Sequence, residues 1–450
     1  MSQVKVSEKY LRFKNGSSLF IRYRQPLAGW LIASALALVI ARILGAGLSP
    51  AWPGVAYGAA SALLWPRLAR RNRIQSLVLL ALGVLCLLWG RLQGAGFELE
   101  RLLAGNSALL SMLVAVSFLG LVSQPAEQEG ERLPRGKRAV GSTLMAVHLF
   151  GAVINLSAIF IIGDRLGRRT ALSRDQVLAL VRGFSGAALW SPFFAAMAVA
   201  LNFAPDAQLS AIWLVSIPLA ALSLVFAFWQ LCRCSGDGAA EFTGYPMHYG
   251  GLWLPMLLAT AVFAMHEFYP ALSVLAVITL LTPLLTLLVL PWRSREPLGV
   301  LSRQVSGRLP QMANELMLFQ CAGVLGYGLE LLVSGLEGGL PLAGFGAFEA
   351  ALSYGVIVLL SLVGVHPIIS IAFVGSLLAP LAPDHSLLAL AFLASWSLGA
   401  AVGPLSGMNL AIQGRYGVDS FKIMRWNLGY LVVMSVLVVA ALYLLERLLR

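Results

Sequence analysis

Residues 132–174 read RLPRGKRAVGSTLMAVHLFGAVINLSAIFIIGDRLGRRTALSR. A single apolar run, 142–163, lies between two basic clusters. Arg135, Lys137 and Arg138 precede it; Asp164 and then Arg165, Arg168 and Arg169 follow it. Short loops rich in Lys and Arg stay on the cytoplasmic side of a membrane. A run that crossed would expel one cluster, whereas a run that enters and returns keeps both inside. Gly151 and Asn155 can supply the turn. Non-helical backbone at membrane depth is tolerated when it is buried in protein or lines a cavity. We therefore read 142–163 as a re-entrant hairpin.

The composition supports a membrane setting. Of 450 residues, 59% are apolar and 12% charged, against about 45–50% and 25% in soluble domains. Mean hydropathy is +0.82. Too few polar groups are present to cover a soluble fold of this size. This excludes a disordered chain, a disulfide scaffold and a soluble enzyme. At about 20 residues per crossing the chain holds roughly 10–13 transmembrane segments, and the expected fold is an all-α polytopic membrane protein. The net charge of +12 sits in short loops: Arg67–Arg73, Arg132–Arg138, Arg165–Arg174, Arg293–Arg308 and Arg415–Arg425. That is a topology signal, so nucleic acid is not an expected partner. The residues through Arg24 are polar and basic, and the first apolar segment is expected to remain as an anchor. Cys232 and Cys234 have no further ligands nearby, so neither metal nor cofactor is expected.

Four crossings from a cytoplasmic N-terminus return the chain to the cytoplasm near residue 123, which agrees with the hairpin reading. The next run, 183–204, reads GFSGAALWSPFFAAMAVALNFA. Pro192 removes a backbone donor in its middle, and Ser191 before it is biased away from helix. The second half carries a similar pattern: Gly399-Ala400-Ala401-Val402-Gly403-Pro404-Leu405-Ser406-Gly407-Met408-Asn409 resembles Gly186-Ala187-Ala188-Leu189-Trp190-Ser191-Pro192-Phe193. Upstream of each break is a short run headed by a histidine, His148 or His366, and followed by an aspartate, Asp164 or Asp384. From Leu309 to Gly414 there is no Lys or Arg. This is the asymmetry an inverted repeat would show. The expected organisation is a basic N-terminus with two segments (1–73), repeat 1 with hairpin 142–163 and broken helix 183–204 (74–232), connecting helices (233–312), and repeat 2 with broken helix 386–412 (313–450). Residues 347–382 read either as two helices or as a second hairpin.

Broken helices at matching positions in two halves are the best sequence pointer to a transporter site. The candidate substrate-binding residues are Ser185, Ser191, Pro192, Gly403, Pro404, Ser406 and Asn409, which place hydroxyls and an amide beside exposed backbone. Half-helix N-termini can hold an anion without a basic side chain. The candidate ion-coupling residues are Glu315, Glu330, His148 and His366, because an ionisable group inside an apolar run marks function, and Asn155, whose amide carbonyl oxygen suits a hard cation such as Na+. Packing kinks and interfacial histidines are the competing structural readings.

The order of hairpin, Ser-Pro break and a second copy with Gly-Pro-Leu-Ser-Gly-Met-Asn resembles the ion transporter superfamily, which includes divalent-anion/sodium symporters, citrate transporters and arsenite permeases. The resemblance spans roughly 74–446. The family's Ser-Asn-Thr tip signature is replaced here by Asn155-Leu156-Ser157 and by Ser406-Gly407-Met408-Asn409. The resemblance implies a secondary active transporter of a small anionic solute such as an organic acid, coupled to H+ or Na+. The bacterial inner membrane is its expected location, with the N-terminus cytoplasmic. Its partners would be that anion, the coupling ion, the lipid bilayer and, in a homodimer, a second copy of the chain. Two other readings compete: a membrane acyl- or glycosyl-transferase with His148 or His366 as base, and a component of an envelope assembly.

Overall fold

Backbone inside a bilayer must satisfy its own hydrogen bonds, and the apolar runs accordingly fold as helices. A computed structural model describes residues 3–123, 133–168, 170–233, 238–247, 253–269, 271–334 and 344–450. The chain opens with α1 (Gln3–Ile43), α2 (Ala51–Leu64), α3 (Arg70–Leu92), α4 (Leu99–Ala104) and α5 (Ser107–Leu119). Next come α6 (Lys137–Ile154), α7 (Ser157–Leu166), α8 (Arg174–Ala187), α9 (Ala195–Phe203) and α10 (Leu209–Arg233). The middle holds α11 (Trp253–Phe268), α12 (Val274–Arg293), α13 (Pro297–Arg303) and α14 (Ala313–Ser334). The last part holds α15 (Ala347–Leu362), α16 (Pro367–Leu378), α17 (His385–Val402), α18 (Gly407–Tyr416) and α19 (Ser420–Leu449). No β-strand occurs among the described residues. Among the described residues, eight spans are long and apolar enough to cross a membrane, α17–α18 counting as one of them. This is an all-α polytopic membrane protein, and it is integral to the membrane. Arg132, Arg169 and Cys234 lie outside the described residues.

Contacts between helix ends define two faces. On one, Arg24 Nη2 reaches Ala62 O, Ala69 N donates to Asn314 Oδ1, and Gln304 Nε2 donates to Ser117 O. The basic loops cluster there, and we call it the basic face. On the other, Ser49 Oγ donates to Glu100 and Arg101 pairs with Glu330 at 2.8 Å. α3 and α14 rise side by side between the faces. Glycines let their backbones touch: a Cβ at Gly83 would lie 2.8 Å from Leu325 N, and one at Gly328 would lie 2.4 Å from Gly83 O. Small residues are the usual means of close helix approach in membranes.

Residues 142–163 form a hairpin, with limbs α6 and α7 meeting at Asn155. Its φ of 51° is a conformation that asparagine adopts more readily than most residues. Its feet come back together. Arg165 stacks over Tyr245 at 5.5 Å, and Tyr245 is hydrogen-bonded to both Ser142 and Thr143 at the start of α6. The limbs run further than the apolar run suggests, because Lys137 and Arg165 lie in their first and last turns.

Residues 347–382, ambiguous in the sequence, form a second hairpin. α15 and α16 meet at Gly364, with φ 99°. The two halves then share one element order: hairpin, broken helix, long helix. They point in opposite directions. The end of α18 meets the foot of hairpin 1, where Arg415 grips Asp164. The chain just past α9 meets the start of α17, where Asp206 N donates to His385 Nδ1 and Gln208 N to Ser386 Oγ. The broken helices cross between these points, and Ser397 Oγ donates to Ser185 O at 2.8 Å. One sequence correspondence needs correction. His148 lies within α6, the first limb of hairpin 1, whereas His366 is the N-cap of α16 at the tip of hairpin 2. Asp164 lies near the end of α7 and Asp384 caps α17. Neither pair occupies equivalent places.

Candidate functional site

Each break is closed by polar side chains close to it. In the first, Ser191 Oγ donates to Ala152 O of hairpin 1 and accepts from Phe193 N. Asn155 Nδ2, at the hairpin tip, donates to Phe193 O at 3.2 Å. In the second, Ser406 Oγ donates to Ala400 O and accepts from Asn409 N, capping α18. Asn409 Nδ2 lies within reach of Ala400 O, Ala401 O and Gly403 O, at 2.9–3.3 Å. Proline starts each break by removing a donor, and at the second break Ser406 and Asn409 take up the freed Ala400 carbonyl. The Asn409 Oδ1 atom beside it is buried without a hydrogen-bond partner.

The half-helices past the breaks point their N-termini into a shared cavity of about 490 Å3. Residues Phe194-Ala195 and Ser406-Gly407-Met408 line it, as do the hairpin tips at Val153–Ser157 and His366-Pro367. Helix N-termini carry partial positive charge and free N–H groups. Phe160, Phe184, Phe194, Phe319 and Trp396 supply apolar walls. His366 packs edge-on against Trp396 at 5.7 Å.

The remaining wall is one face of the helix that leads into α14. Gln304, Arg308, Gln311, Glu315 and Leu318 all line the cavity. Their spacing keeps them on one side of a helix. A wider π-type turn at Gln304–Arg308 adjusts that register, and such turns recur at functional sites. Arg308 and Glu315 are both exposed to the cavity. Among the described residues neither forms an ion pair. Seven residues apart, they stand about 10 Å from one another along the helix. Gln304 donates to Ser117 O and Oγ, which leaves its Oε1 buried without a donor.

Of the residues singled out from sequence, Asn155, Glu315, His366 and Ser406 line the cavity. Ser185, Ser191, Pro192, Gly403, Pro404 and Asn409 lie behind it and hold the breaks. His148 has both ring nitrogens engaged: Trp190 Nε1 donates to Nε2 at 2.9 Å, and Nδ1 lies 3.0 Å from Gly183 O, to which it donates. That leaves it no lone pair for a proton. Glu330 is far from the cavity, paired with Arg101 at the other face. Arg308, Gln304 and Gln311 were not foreseen. The signal was their helical spacing with Glu315, hidden because Arg308 reads as the last member of a basic loop and Pro310 as a break. No protein-family model and no curated protein matches the chain.

Proposed function

We propose that the protein is a secondary active transporter of a small organic anion, coupled to protons, in a bacterial inner membrane with the basic face and the N-terminus in the cytoplasm. The observation that carries this reading is the cavity itself. Two hairpins that open toward opposite faces bring their tips to one cavity, beside two half-helix N-termini and Arg308, which has no carboxylate partner among the described residues. Broken helices and hairpins at matching positions of two halves are the usual frame of a transporter site. Arg308 and the helix ends favour negative charge, and a guanidinium suits a carboxylate held by two hydrogen bonds.

Proton coupling rests on Glu315, which presents a carboxylate to the cavity and forms no ion pair among the described residues, so a proton is the simplest way to neutralise it. A monoanion on Arg308 and a proton on Glu315 would move together without net charge. The transferase reading loses one of its two candidate bases, since both nitrogens of His148 are occupied.

A stabilisation screen tests the reading. Purified protein is heated with a panel of mono-, di- and tricarboxylates, with matched amines and neutral sugars as controls. At least one carboxylate should raise the unfolding temperature saturably, and Arg308→Gln should abolish the shift. Stabilisation by sugars or amines alone would defeat an anion site.

A further inference from the structure

A second cavity lies away from the hairpins. It occupies about 470 Å3 between α2 and α3, with α14 as its floor. α2 and α3 are consecutive, yet α2 packs on α1 while α3 packs along α14. A groove is left open on the outer surface, where Leu77, Val78 and Leu80 of α3 are exposed.

Polarity is graded along this groove. At its basic-face end stands Arg24, whose Nη2 makes only a 3.5 Å contact with Ala62 O. Its Nε is buried without a partner. Among the described residues no carboxylate pairs with it. Trp65 lies at the same level, the depth at which tryptophan sits in membrane interfaces. One turn in, Ser61 is 2% exposed and its hydroxyl has no hydrogen-bond partner. Beyond it the walls are Gly58, Leu80, Met317, Cys321 and Val324, with the Gln320 amide among them. Leu80 lies ten residues into α3 and Val324 eleven into α14. The groove therefore reaches about 15 Å from the basic face, half of the roughly 30 Å hydrocarbon core. One leaflet deep, cationic at the surface and mostly apolar below, it matches the depth of one phospholipid chain beneath its headgroup.

We propose that this groove binds an anionic phospholipid of the basic-face leaflet. The phosphate sits at Arg24, the Ser61 hydroxyl donates to a glycerol-ester oxygen, and one acyl chain runs along Leu80, Cys321 and Val324. Exposed Arg67 and Arg70 nearby add to the attraction for an anionic surface. The bound lipid fills the space between α2 and α3 that protein leaves open.

Native mass spectrometry of the full-length protein, mixed with equal phosphatidylglycerol and phosphatidylcholine of the same chains, tests this. The expected result is one retained phosphatidylglycerol, favoured about fivefold, the worth of one basic side chain at an anionic surface. Arg24→Gln should bring the two lipids to near parity, while Arg24→Lys keeps the preference. Leu80→Trp, which fills the groove, should reduce retention of both lipids. Glycerol 3-phosphate, which has no chain, should fail to displace the lipid. Unchanged preference in Arg24→Gln, unchanged retention in Leu80→Trp, or displacement by glycerol 3-phosphate would each overturn the proposal.

Discussion

Replacing Arg308 by glutamine removes the one arginine that lines the cavity among the described residues and keeps the length and polarity of the helix face. No protein partner is lost with it, because Arg308 has no ion pair among the described residues, so folding should be nearly unaffected. The loss falls on the solute. A hydrogen bond to a charged group contributes about 1.5–3 kcal/mol, which predicts roughly 10- to 150-fold weaker binding. Arg308→Lys keeps the charge but not the planar two-point geometry and should fall between. The assay is isothermal titration with the carboxylate that best stabilises the wild-type protein. Arg303→Gln is the control: it is exposed, lies one helical stretch earlier, and is absent from the cavity wall. Wild-type affinity in Arg308→Gln, or an equal loss in Arg303→Gln, would refute a site-specific role.

Other outcomes follow from the same geometry. Glu315→Gln should leave solute binding within a few-fold but make uptake into proteoliposomes insensitive to an imposed pH gradient; retained sensitivity would remove Glu315 as the proton carrier. Asn409→Ala strips the amide donor from carbonyls at the second break, and one buried group left unsatisfied costs about 1–3 kcal/mol, read as a lower unfolding temperature in detergent. The Asp164 carboxyl at the foot of hairpin 1 is held below the usual carboxylate range by its hydrogen bonds from Arg415. Its contribution is therefore full at neutral pH and is lost as pH falls through that depressed value. Asp164→Asn should lower stability at neutral pH by less than about 1 kcal/mol, since both partners are partly exposed, and the difference should vanish in acid. Single cysteines at Arg135 and Arg168 should react with an impermeant maleimide from the same side of the membrane, and reaction from opposite sides would contradict the hairpin.

The parts of this fold that were legible in the sequence are those fixed by solvent and by backbone chemistry. Basic clusters on both sides of 142–163 implied a returning chain, and Pro192 and Pro404 marked the breaks because proline lacks a donor. Those rules are local or one-dimensional. The role of the break residues was not legible, because it depends on what faces them. Ser191 looks like an exposed ligand in the sequence, but a neighbouring carbonyl claims its hydroxyl in the fold, and carbonyls claim the Asn409 amide nitrogen likewise. His148 looked available for the same reason, and Trp190 and Gly183 occupy it. Arg308 was missed in the opposite direction. A basic residue at a loop end is ordinarily solvated, and only the approach of the two hairpin tips turns this one toward a cavity.

If this cavity carries an organic anion together with a proton, proteoliposomes enclosing a pH-sensitive dye report both at once. With an inward gradient of the stabilising carboxylate and no pH difference, wild-type protein should acidify the lumen saturably, and Arg308→Gln and Glu315→Gln should not. Saturable carboxylate entry without acidification, or acidification that persists in both variants, would contradict this reading.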